Sequence, residues 1–120
     1  MLKTALLFLM AFICIAAGIN HFWHPQTYLR IMPPYFPYPQ FLNYAAGIAE
    51  ILLGLLLFFS ATRKVAAWCI AALLILFFTV HIYMLQQALH TEDYFVSPAM
   101  AWLRLALQPV LIAWALWYRK

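Results

Sequence analysis

Phe41-Leu42-Asn43-Tyr44-Ala45-Ala46-Gly47-Ile48-Ala49-Glu50-Ile51-Leu52-Leu53-Gly54-Leu55-Leu56-Leu57-Phe58-Phe59 is the stretch whose reading decides the fold. It is apolar over the length a helix needs to cross a bilayer, and its only charge is the Glu50 carboxyl. A carboxylate at mid-membrane depth costs about 3 kcal/mol on insertion scales, so it is expected to face the bundle interior and to have a partner. Asn43, Gly47, Glu50 and Gly54 recur at helical spacing and share one face. Small residues beside the polar ones let a neighbouring helix come close.

Outward from this stretch the same pattern repeats. Of 120 residues, 68% are hydrophobic and 8% charged, too little charge to cover a soluble domain. The apolar residues fall into blocks at about 4–22, 41–60, 65–86 and 99–118. These blocks predict an all-α integral membrane protein, a four-helix antiparallel bundle in a single domain over 1–120. The net charge of +4 does not point to nucleic acid, because Lys3, Arg63, Lys64, Arg119 and Lys120 flank apolar blocks rather than forming a patch. By the positive-inside rule both termini are expected in the cytoplasm of a cell whose inner (plasma) membrane holds the chain. Met1–Gly18 also resembles a signal peptide, but its apolar run continues past the small residues, and a first span is preferred.

The connections have their own signals. Pro25 is placed to open a short helix, and the run Pro33–Pro39 is expected to be extended over the outer mouth of the bundle. Ala61–Lys64 is expected to turn the chain. Ser97 reads as an N-cap with Pro98 at the first helical position.

Depth along each span follows from a rise of 1.5 Å per residue. Glu50 and Gln108 lie roughly 14 Å from the outer end of their spans, and His81 and Arg104 roughly 8 Å. Asn20 and His21 stand at the outer end of span one. The strongest polar groups therefore share the outer half of the bundle, and Asn20, His21, Glu50, His81, Arg104 and Gln108 form the candidate site. Arg104 is the expected ion-pair partner of Glu50, since both charges are otherwise stranded.

Two readings of this cluster stand side by side. It is a pocket for a lipid-soluble small molecule, or a polar lock that fixes helix register in an assembly factor or scaffold. The number of polar side chains and the aromatic loop above them favour the pocket. No spacing such as HExxH supports a metal site, no serine or cysteine triad is present, and Cys14 and Cys69 are too far apart in sequence for a CxxC pair. An accessory subunit or binding protein is therefore expected rather than an independent catalyst.

Gly18-Ile19-Asn20-His21-Phe22, Ile31-Met32-Pro33-Pro34-Tyr35, Gly47–Gly54 and Trp102-Leu103-Arg104-Leu105-Ala106-Leu107-Gln108-Pro109 together resemble the DoxX-like membrane proteins. The resemblance runs over essentially the whole chain. It implies a four-helix membrane bundle, with His21, Glu50, Arg104 and Gln108 at the family's polar positions. It does not imply one function; the family is named for a small subunit of a thiosulfate:quinone oxidoreductase, and the ligand expected here is a quinone or sterol-like lipid, with the chain as a membrane subunit of a redox complex. The expected partners are the lipid bilayer, a lipid-soluble ligand, a membrane or redox protein and a second copy of the chain as a homodimer.

Overall fold

Helices form where the apolar blocks lie and run past their ends. In the computed structural model, which describes residues 1–119, the long helices are α1 (Leu2–Trp23), α3 (Pro39–Leu57), α4 (Ser60–His90) and α5 (Pro98–Leu116), with a short α2 (Pro25–Ile31) after α1. All four long helices are long and apolar enough to cross a membrane. The architecture is thus all-helical, as the apolar blocks predict, and compatible with a multi-pass membrane protein. Large apolar side chains such as Phe12, Leu52, Ile75 and Val110 are exposed on its outer surface, as hydrocarbon contact requires.

Three of the five signals in the connections are followed and two are not. Pro25 and Pro98 each open a helix, and the Ser97 hydroxyl accepts a hydrogen bond from the Met100 backbone amide at 3.2 Å. The proline run is not extended: Phe36 N–H donates to the Pro33 carbonyl at 3.1 Å in a turn, and Pro39 is already the first residue of α3. Proline lacks an amide donor, and the first turn of a helix needs none. Ala61–Lys64 is not a turn either. The chain reverses at Phe58-Phe59, and those four residues form the start of α4. The tight reversal is stable because α4 supplies donors to the open carbonyls of α3. Thr62 Oγ donates to the Leu56 carbonyl at 2.7 Å, and Arg63 Nε donates to the Leu57 carbonyl at 2.9 Å.

α1 packs along α3 and α4 along α5, with a slighter contact between α3 and α4. The α1–α3 seam holds all three glycines of the chain. A Cβ on Gly18 would stand 2.5 Å from the Gly47 carbonyl oxygen, and one on Gly54 would stand 2.8 Å from the Ala11 carbonyl oxygen. The two backbones are in contact there, which only glycine permits. One apolar core, around Leu7, Leu57, Ala67 and Ala115, joins all four long helices near the basic end of the bundle. A second, around Ile31, Met84, Ala88 and Ala101, joins α2, α4 and α5 near the other end.

Candidate functional site

The glycine contact places His21 over α3. A Cβ on Gly47 would meet His21 Cβ at 2.8 Å, so the imidazole lies against the face that carries Asn43 and Glu50, one turn to either side. All three side chains are buried. Asn43 Nδ2 donates to the His21 backbone carbonyl at 3.0 Å, and Asn43 Oδ1 lies 2.7 Å from His21 Nδ1. The carbonyl fixes which end of the amide is the donor. Oδ1 must therefore accept, and His21 Nδ1 carries a proton.

His21 Nε2 lies 3.5 Å from Glu50 Oε1. With Nδ1 protonated, Nε2 meets the carboxyl group favourably in two ways. Either Nε2 is also protonated and faces a carboxylate, or Nε2 is bare and faces a protonated carboxyl. In both states one proton lies between the two groups and the pair is neutral overall. Neutrality is what makes its burial affordable.

Tyr28, from α2, covers the other side of the imidazole. Its ring stacks on His21 with centroids 3.8 Å apart, and its hydroxyl accepts from Asn20 Nδ2 at 2.8 Å. Burial raises the Tyr28 phenol pKa above its ordinary range; the Asn20 hydrogen bond opposes the shift, and the Glu50 charge adds to it.

Beside this assembly lies a cavity of about 710 Å³ between α3 and α4, roofed by Tyr28, Ile31, Met32 and Phe36. Its walls are mostly apolar, including Ala46, Ala49, Leu73, Phe77 and Val80, while His21, Asn43, Glu50 and His81 supply polar atoms. Leu76 also lines it and is 67% exposed on the bundle surface, so the cavity opens sideways toward the hydrocarbon. Among the described residues, the buried side-chain atoms without a hydrogen-bond partner are Glu50 Oε2, His81 Nδ1 and the Tyr94 hydroxyl. The first two belong to residues that line this cavity.

The six residues singled out by depth divide accordingly. His21, Glu50 and His81 line one cavity, and Asn20 acts behind Tyr28. Gln108 is buried, but its amide donates to the Leu74 carbonyl at 2.9 Å and pins α5 to α4. Arg104 is exposed, with Nη1 3.8 Å from Met84 Sδ. The expected Glu50–Arg104 ion pair is not formed. Glu50 pairs with His21, because α3 lies along α1 whereas α5 lies along α4. Two members of the site escaped sequence reasoning, Asn43 and Tyr28. Asn43 had a signal, its place on the Glu50 stripe; Tyr28 had only its position in the helix opened by Pro25.

No curated protein and no solved structure matches the chain. Residues 10–119 match a family described as a domain of unknown function (DUF8561). The match covers nearly the whole bundle, from the middle of α1 to the end of the described chain, and the protein belongs to that family.

Proposed function

We propose that this membrane protein binds a lipid-soluble small molecule in the cavity between α3 and α4. The observation that carries the reading is the pair of buried, unpartnered polar atoms, Glu50 Oε2 and His81 Nδ1, in two residues that line a mostly apolar cavity. Buried polar groups are normally satisfied, and two orphans on one cavity call for a polar group from a ligand. The volume lies within the range of ligand pockets. In this proposal the chain sits in the inner membrane with both termini cytoplasmic, is related to the DoxX-like proteins, and serves as a membrane subunit of a redox system with a quinone-type ligand.

Mass spectrometry of extracts tests the binding. Protein purified in mild detergent is expected to carry one discrete small molecule near equimolar ratio, and Ala49→Trp, which fills the cavity, is expected to lose it. If both carry only bulk lipid, the cavity is not a ligand site.

A second reading rests on a separate observation. The reciprocal Asn43–His21 hydrogen bonds and the glycine seam together lock α1 to α3. In an assembly factor or scaffold that lock would be the purpose of the polar cluster. It predicts a co-purifying membrane partner that Ala49→Trp does not displace.

A further inference from the structure

Hydrogen-bond bookkeeping at the cavity wall restricts what the ligand is. The reasoning rests on the binding reading above and narrows it to a chemical class. The single proton of the His21–Glu50 pair lies on the Nε2–Oε1 side, where the atoms are 3.5 Å apart. Glu50 Oε2 therefore holds no proton in either state, and is a carboxylate oxygen in one and a carbonyl oxygen in the other. In both it only accepts. A ligand that satisfies it must donate.

Several ligand heads fail this requirement. A ketone, a quinone carbonyl or an ether has nothing to donate and leaves Oε2 unpaired. A carboxylate or phosphate would bring a second acceptor and a buried negative charge against it. An ammonium head donates, but the His21–Glu50 pair is already neutral and offers no net counter-charge to a buried cation. A hydroxyl donates through O–H to Glu50 Oε2 and brings no charge, so one small neutral group satisfies that orphaned atom.

We infer that the cavity takes an apolar molecule bearing a hydroxyl group, an alcohol, phenol or hydroquinone, with the hydroxyl donating to Glu50. The apolar body lies against Ala46, Ala49 and Phe77 and reaches the hydrocarbon past Leu76. Within a redox system, the reduced, hydroxyl-bearing form of a quinone is then the form the site prefers.

The test uses the full chain in phosphatidylcholine nanodiscs and two sets of probes. One set is a decyl hydroquinone kept reduced under argon, its dimethyl ether and the matching quinone. The other is dodecanol and dodecyl methyl ether. Affinities are read by native mass spectrometry. The hydroxyl member of at least one set is expected to bind about tenfold or more tightly than its ether, the worth of one hydrogen bond to a buried acceptor. The quinone is expected to rank with the ether.

Glu50→Gln should keep the preference: its amide nitrogen must face bare His21 Nε2, which again leaves an oxygen toward the cavity. Glu50→Leu should abolish it. Ethers or the quinone binding within twofold of the hydroxyl probes to the unmodified protein would overturn the inference while leaving the binding reading intact, water then being the group that meets Oε2. Binding of no probe, together with extracts that hold only bulk lipid, would remove the binding reading and this inference with it.

Discussion

Asn43 holds His21 at both ends of its amide, donating to the histidine's own backbone carbonyl and accepting from its ring. One side chain of α3 thereby fixes the backbone position of α1, the tautomer of the imidazole and the direction of Nε2 toward Glu50.

Replacing Asn43 by Leu leaves the His21 carbonyl and Nδ1–H buried without partners. A loss of about 2 kcal/mol is expected in denaturant titrations of the detergent-solubilised protein. Nitrogen NMR of histidine-labelled protein should show His21 protonated at Nδ1 in the unmodified chain. A His21 signal with bare Nδ1 would contradict the reading of the pair.

The glycine seam leaves no room for a methyl group. Gly18→Ala and Gly47→Ala each drive a Cβ against backbone of the facing helix, which cannot yield as a flexible side chain does. Each should cost about 1–3 kcal/mol, against less than about 1 kcal/mol for Ala45→Gly elsewhere on α3, or the two backbones are not in contact.

Thermodynamic cycles separate the real partner of Glu50 from the expected one. His21→Leu and Glu50→Leu should be strongly non-additive, with a coupling of about 1 kcal/mol or more. Arg104→Leu and Glu50→Leu should add to within about 0.5 kcal/mol, because the two side chains do not form a pair. The reverse pattern would restore Arg104 as the counter-ion.

Alkaline stability reports on Tyr28. Burial, the largest cause, raises its folded pKa above the ordinary value of 10.0, so the neutral phenol is favoured by folding. The sign follows from linkage: that stability is fully present below the unfolded pKa and is lost as pH rises through the folded one. Unfolding free energy should therefore fall above about pH 10, and Tyr28→Phe should flatten the decline without abolishing it, since burial raises the Tyr94 pKa as well. An unchanged slope in the variant would show that Tyr28 is not buried against His21.

Much of this protein was legible in the chain itself. The apolar blocks determine the number and type of the long helices, because a hydrocarbon solvent leaves the backbone few other ways to satisfy its hydrogen bonds. The spacing of Asn43, Gly47, Glu50 and Gly54 determines the working face of α3, since helical periodicity is a local property. Depth along a helix is local too, which is why the sequence alone assigns Glu50, His21 and His81 to one half of the bundle; all three line one cavity. Which helix lies beside which is not local. Side-chain packing between distant segments decided it, above all the backbone contact that glycine allows between α1 and α3. That contact, and nothing in the spacing of charges, brought His21 rather than Arg104 to Glu50, and it left one carboxyl oxygen without a partner in a residue that lines a cavity no single stretch of sequence contains.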